Sequence, residues 1–185
     1  MATLEAIEKA VRDQFGDAVA ESAQFRGELT LSVRRELIRD VCLFLRDAPD
    51  LRFNFLSDLT AVDYLNLARV PRFDVVYHPL SLEYYHRVRI KASVPEDDLH
   101  IASVVSVWPT ADWHEREVFD MFGIVFDGHP NLSRILMPDD WQGHPLRKDF
   151  PIGGARSFYF KRDSQPLAGE PPGMIPRIRV NDSDV

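Results

Sequence analysis

The chain has a single cysteine among its 185 residues, and that scarcity excludes more than any other count. Cys42 cannot form an internal disulfide, and it cannot supply the four thiolates an iron–sulfur cluster takes. It sits in Val41-Cys42-Leu43-Phe44-Leu45, where it reads as a small buried hydrophobe in a reducing compartment. That stretch of five is also the longest strictly apolar run, against the about 20 residues a membrane-spanning helix needs. The opening MATLEAIEKA has no basic start leading into an apolar stretch and no Arg-rich, acid-poor character, so neither a secretory nor an organelle leader is expected. Phosphate-cradling loops are missing as well, both the GxGxxG form and GxxxxGK followed by Ser or Thr. His114-Glu115 begins like a zinc-protease helix, but the second histidine would have to stand where Val118 is. Ser133 lies in Asn-Leu-Ser-Arg rather than in a GxSxG elbow. Cations are outnumbered, 22 Lys and Arg to 29 Asp and Glu for a net charge of −7, which argues against general nucleic-acid binding.

What the chain does contain is uneven. Hydrophobic residues make up 45% and charged residues 28%, ordinary values for a globular fold. Yet seven of the nine glycines and eight of the 13 prolines fall at or after Gly123. This division predicts an α+β domain over 1–123, an extended Pro/Gly-rich segment over 124–151, and a tail over 152–185. Within the first part, Leu4, Ile7, Val11 and Phe15 follow helical spacing, with Gly16 placed to end the helix. Residues 18–24 and 29–33 read as a hairpin turning at Arg26-Gly27. Leu37, Val41, Phe44 and Leu45 make a second helix that stops at Ala48-Pro49. A strand over about 53–64 is followed by alternating Phe73, Val75, Tyr77 and Val88, Ile90, Ala92, a second hairpin. Arg87, Arg89 and Lys91 share the opposite face of that last strand, a solvated or partner-facing stripe. Pro95-Glu96-Asp97-Asp98 reads as the start of a helix running to about Trp108, and Thr110 as the cap of another ending at Met121-Phe122-Gly123. Without a βαβ rhythm, these elements predict helices packed on a mostly antiparallel sheet.

The densest polar stretch, Asp112 to Asp120, holds Arg116 and Asp120 four residues apart, spaced to pair along a helix face that is either used for docking or simply solvated. His114, His129 and His144 stand fifteen apart, a regularity with no coordination meaning by itself. Trp108, Trp113 and Trp141 read as core or interface anchors. From Gly123 to Pro151, large apolar residues alternate with turn formers that forbid a long helix. The expectation is a chain laid in extended pieces over a surface, its charges needing partners once covered, with proline stiffness lowering the entropy lost on docking.

Glu115-Arg116-Glu117, Asp120-Met121-Phe122-Gly123-Ile124, Gly128-His129-Pro130, Arg134-Ile135-Leu136, Asp140-Trp141 and Gly143-His144-Pro145-Leu146-Arg147-Lys148-Asp149-Phe150-Pro151 closely resemble the signature of one family. It is that of the C subunit of the peripheral arm of respiratory complex I, the proton-pumping NADH:quinone oxidoreductase. With the chain ending at Val185, the resemblance is to the form not fused to the D subunit. The resemblance implies a non-catalytic structural and assembly subunit with no cofactor, metal or active site of its own. FMN and iron–sulfur clusters reside in partner subunits and pass electrons from NADH to quinone. The implied partners are the D subunit, braced near the quinone-reducing module, and neighbouring iron–sulfur subunits, with the tail over 152–185 docking on partner subunits. The implied location is peripheral, on the cytoplasmic side of the bacterial inner (cell) membrane, with only indirect contact with the bilayer and none with nucleic acid. The residues expected at the partner interface are Glu115, Arg116, Asp120, His129, Arg134, Trp141, His144, Arg147, Lys148 and Asp149. Two other readings remain: the equivalent subunit of a membrane-bound hydrogenase or related quinone-linked complex, and a stand-alone metal-dependent hydrolase using His114, Glu115 and Glu117.

Overall fold

Thr3 opens the first helix, its Oγ1 accepting the Ala6 N–H at 3.2 Å, as N-cap hydroxyls do. The computed structural model describes residues 3–67 and 69–151; the expected tail over 152–185 lies outside the described residues. Helix α1 (Leu4–Phe15) buries Ile7 and Val11, and α2 (Ile38–Asp47) buries Ile38, Val41, Cys42 and Leu45. Between them β1 (Val19–Phe25) and β2 (Glu28–Val33) form the expected antiparallel hairpin. Arg26 and Gly27 both take positive φ, 51° and 78°, the handedness that matches a two-residue turn to strand twist.

Strands β3 (Phe55–Asp63), β4 (Phe73–Leu80) and β5 (Val88–Val94) complete a five-stranded sheet in the order β1-β2-β5-β4-β3. Three neighbouring pairs are antiparallel and β2–β5 is parallel, so the architecture is the expected mostly antiparallel α+β. Alternate residues of β5, Val88, Ile90, Ala92 and Val94, join one core with Tyr77, Phe73, Phe53 and the buried sides of the helices. The intervening Arg89 and Lys91 face outward, where Arg89 meets Glu28 at 2.6 Å and Lys91 lies 3.9 Å from Asp74. Cys42 is wholly buried, and burial pushes its thiol far above the ordinary value; it is the inert hydrophobe the sequence suggested.

The helix expected from Pro95 to Trp108 does not form. A turn at 96–97 leads into β6 (His100–Ala102), then another turn at 105–107. The acids that resembled a helix start are otherwise engaged: Glu96 reaches Arg72 at 2.5 Å, and Asp98 pairs with Arg35. Arg35 also takes the carbonyls of Asp98 and His100 at 2.7 and 3.1 Å. The β-branched Ile101, Val104, Val105 and Val107 are stiff in χ1 and fit strand and turn better than helix. Strand β6 pairs in parallel with β7 (Val125–Asp127). Ile124 and Phe126 are core residues, so the boundary drawn at Gly123 falls between two packed elements.

Helix α3 (Ala111–Phe122) has the expected ends, but Thr110 does not cap it. That residue is itself helical in φ and ψ, and its hydroxyl donates to the Leu56 carbonyl at 3.4 Å. At the other end Gly123 adopts φ +80°, and a Cβ there would lie 2.6 Å from His144 Nε2. Glycine is required twice at one position, for backbone hand and for room.

Candidate interface on the third helix and the loop that covers it

Beyond β7 the chain turns back over α3. Strand among the described residues of this segment is confined to β7; from Gly128 onward turns and bends alternate with stretches that are neither helix nor strand. Arg147 N–H reaches the His144 carbonyl at 3.2 Å, and Phe150 N–H reaches that of Arg147 at 3.1 Å. Glycine and proline had signalled the breaks; how closely they succeed one another is what tightens the path.

Asp120 organises this path. It is fully buried. Its Oδ1 meets Arg134 Nη1 at 2.6 Å, while Oδ2 accepts the consecutive N–H groups of Ile135, Leu136 and Met137 at 3.1, 2.8 and 2.8 Å. Burial by itself would raise the pKa of this carboxyl. The Met137 N–H, the Arg134 guanidinium and the N–H groups of Leu136 and Ile135 outweigh it and hold the group below the ordinary range. The Asp120 carbonyl accepts from His144 Nδ1 at 3.0 Å, which fixes that ring against Gly123. The Arg116–Asp120 pair expected along the helix does not form. Arg116 instead donates to the carbonyls of Ser133 and Arg134, both at 3.1 Å, and lies over the Trp113 ring. Both members of the supposed pair are taken by the loop, because a buried carboxylate offered three backbone donors gains more than from one exposed i,i+4 partner.

His129 is held similarly, its Nε2 bonding the Asp112 carbonyl at 3.1 Å and its Nδ1 accepting the Asn131 N–H at 3.0 Å. Trp141 stacks on Phe150 with ring centres 6.2 Å apart. Glu115 faces the core, with Oε1 accepting the Val104 N–H at 2.7 Å. Burial raises its pKa to about 7, against the opposing Val104 N–H and Ser103 hydroxyl and with help from the Asp112 carboxylate. Glu117 is exposed on the same helix while Glu115 is buried, and His114 leans toward Asp58 at 3.7 Å. The three residues of the hydrolase reading therefore do not converge on one place.

Farther along, the loop lands on a second ionic cluster at the sheet's end. Arg72, 6% exposed, grips Asp63 at 2.7 and 2.9 Å, and also contacts Glu96 and Asp149. Asp63 accepts the Lys148 N–H at 2.8 Å and the Leu65 N–H at 2.9 Å. Burial opposes ionisation of Asp63, but the Arg72 guanidinium and these two N–H groups pull its pKa down to about 2. Arg147 lies over the Phe73 ring, 3.4 Å from Glu96 and 3.3 Å from Asp149; Lys148 is exposed. Asp63, Arg72 and Glu96 were not foreseen. Their only sequence signal is a carboxylate and a guanidinium flanking one loop between strands.

The ten residues named from the sequence thus fall into two groups. Asp120, Arg116, Arg134, His129 and His144 bind the loop to α3, while Arg147, Asp149 and the Lys148 N–H join the cluster around Arg72 and Asp63; Glu115 faces the core and Trp141 stacks on Phe150. Among the described residues no group of three His, Cys, Asp or Glu side chains is gathered as for a metal ion, and no helix is long and apolar enough to cross a membrane.

The family model described as respiratory-chain NADH dehydrogenase, 30 Kd subunit, matches residues 31–156. The C subunit of NADH-quinone oxidoreductase from Roseiflexus sp. (strain RS-1) is 53% identical over 154 residues, covering 83% of this chain and 87% of that one. Its counterpart of the same name from Citrifermentans bemidjiense is 52% identical over 144 residues, covering 78% and 87%. Among solved structures, a trypsin-resistant fragment of Nqo5 superposes with a TM-score of 0.60 at 33% identity, covering 70% of this chain and 98% of the fragment. A chain of the membrane-bound sulfane sulfur reductase, an archaeal respiratory membrane complex, shares the fold with a TM-score of 0.68 at 24% identity, covering 92% and 98%.

Proposed function

The chain belongs to the respiratory-chain NADH dehydrogenase 30 Kd subunit family as a C subunit of complex I, and from that premise we propose that its role is structural, in assembly, with no step of the reaction performed by the chain itself. The complex oxidises NADH and reduces quinone. On this reading FMN and iron–sulfur clusters in other subunits carry the electrons. This chain braces the D subunit and adjoining iron–sulfur subunits on the cytoplasmic side of the membrane. The tail over 152–185 docks on those neighbours, and the chain meets the bilayer only through them.

The observation that carries the reading is the buried Asp120 hub. It commits a buried carboxylate, an arginine and three backbone donors to holding a loop in one shape. Such ordering of a turn-rich segment makes a preorganised surface, and preorganisation is what lowers the entropic cost of docking. The test is purification of the native complex in mild detergent through a tag on this chain. NADH:quinone reductase activity, FMN and iron should co-purify with the tagged chain, and the chain expressed alone should contain neither flavin nor iron. Stoichiometric flavin or iron in the chain expressed alone would overturn the non-catalytic assignment.

A further inference from the structure

The loop that Asp120 immobilises carries exposed apolar side chains outward. Leu136 is 57% exposed although its own N–H is bonded to Asp120. Leu146 is 49% exposed although its N–H is bonded to the Met121 carbonyl at 3.1 Å. Trp113, 62% exposed, sits on α3 beneath the Arg116 guanidinium whose other contacts grip Ser133 and Arg134. Arg134 in turn bonds the Gly143 carbonyl at 3.3 Å, which ties the two parts of the loop together. Positions 113 and 121 of α3 are about 12 Å apart along the helix axis at about 1.5 Å per residue. Trp113 and the backbone groups that carry Leu136 and Leu146 are thus all anchored on one helix, within about 12 Å along its axis.

The charges around these residues are mostly of one sign. Among residues 111–149 the exposed charged side chains are the acids Glu117, Asp127, Asp139, Asp140 and Asp149 against the single cation Lys148; Asp127 is shared with His100 and Asp149 with Arg72. Two arginines of the same stretch, Arg116 and Arg134, are committed to carbonyls and to Asp120. An apolar centre within a polar rim is the anatomy of a protein interface, and large anchors near its middle carry most of the affinity.

We propose that the strip Trp113, Leu136 and Leu146, with its acidic rim, is a docking surface for a neighbouring subunit that presents an apolar groove flanked by lysine or arginine. The proposal rests on the assembly role above and names its contact. The signature arginines and Asp120 are the scaffold of that surface, and the side chains that meet the partner are the apolar ones they display.

The experiment uses the native complex captured through a tag on this chain. Wild type should bring down NADH:quinone reductase activity. The Trp113→Ser/Leu136→Ser/Leu146→Ser variant should bring down about tenfold less or lower still, as loss of central anchors does, while its melting temperature alone stays near wild type because all three side chains are exposed. Phe25→Ser, which removes an equally exposed side chain on the first hairpin (70% exposed), should assemble normally. Glu117→Lys/Asp139→Lys should weaken capture without touching the apolar strip, and raising the salt should weaken capture of wild type. If wild type captures no activity, the assembly role itself is wrong. If wild type captures activity and the triple variant captures as much, the role stands and the surface is wrong. Capture indifferent to the charge reversal and to salt overturns the basic-rimmed partner. A wild-type homodimer that the triple variant dissolves would make a second copy the occupant instead. A red shift of Trp113 emission on removing residues 152–185 would make this chain's own tail the occupant.

Discussion

Two regions of this molecule are ordered by different forces. The body through β7 is held by apolar burial and strand ladders, with a core running from Ile7 to Phe126. The segment after β7 has little of either. It is held by a few polar groups: Asp120, Arg116 and Asp63 of the body take up its backbone N–H and carbonyl groups, and its own His144 bonds the Asp120 carbonyl. The contrast shows how a turn-rich chain can be rigid without a core of its own. The hooks of the body, Asp120 and Asp63, find donors in the segment, and those donors find their acceptors in the body, so neither set of groups is satisfied alone.

The sharpest way to break the contrast is to cut the chain at its apparent seam. A chain ending at Gly123 loses Ile124 and Phe126 from the core and the partner of β6. It is expected to be less stable than one ending at Asp127 by about 3–6 kcal/mol, at about 1.5–3 kcal/mol for each fully buried side chain. Urea unfolding of the two chains measures the difference; equal midpoints would show that β7 belongs to the segment rather than to the body. Next in size, Asp120→Ala leaves Arg134 and three N–H groups without their acceptor. A loss of about 3–5 kcal/mol is expected, as for one partner of a buried ion pair. Hydrogen exchange should quicken from 133 to 146 while the five-stranded sheet keeps its protection. Uniform quickening would mean that the two regions unfold as one.

A pH titration separates the regions by sign. Glu115, inside the body, has its pKa raised from 4.5 to about 7. The folded chain therefore holds this proton more tightly than the unfolded chain. The group costs stability progressively as pH rises from about 4.5 to about 7, approaching about 3 kcal/mol at about 1.4 kcal/mol for each tenfold difference in proton affinity. Glu115→Gln should flatten that fall in thermal melts between pH 5 and 8, and an unchanged slope would remove Glu115 as its cause. Asp63, which anchors the segment, behaves oppositely. Its pKa is lowered from 3.8 to about 2, so its contribution is present above about 3.8 and lost as pH falls through about 2. The smallest effect is expected at Arg147. Its partners Glu96 and Asp149 are half exposed at 3.3–3.4 Å, and pairs of that kind are worth under about 1 kcal/mol. Arg147→Ala should barely move the melting temperature of the chain alone. A large drop would place Arg147 in the same class as Arg72.

How much of this the sequence disclosed follows the same divide. The helix from Leu4 to Phe15, the hairpin across Arg26-Gly27 and the end of α3 at Gly123 were legible because their causes are local: periodicity, turn hand and capping. Pro95 to Asp98 misled because an acid-rich helix start and a set of acids bound for distant arginines look alike until Arg35 and Arg72 are in place. The charged signature from Glu115 to Asp149 stood out in the sequence, but the contacts it makes within the chain did not. Side-chain hooks onto backbone carbonyls, such as Arg116 to Ser133, leave no periodic trace. The cluster around Arg72 joins residues 63, 72, 96 and 149, separations only the folded chain reveals.

The hub at Asp120 also sets an order in time. A ribosome delivers this carboxylate first and the last of its three donors, Met137, 17 residues later, a gap of about 1–3 s at about 5–20 residues per second. The loop cannot close until the chain has been made past 137, and its exposed leucines reach the surface only then. A chain that ends before Met137 lacks part of this clasp, and limited proteolysis of released chains ending before and after Met137 would show the change.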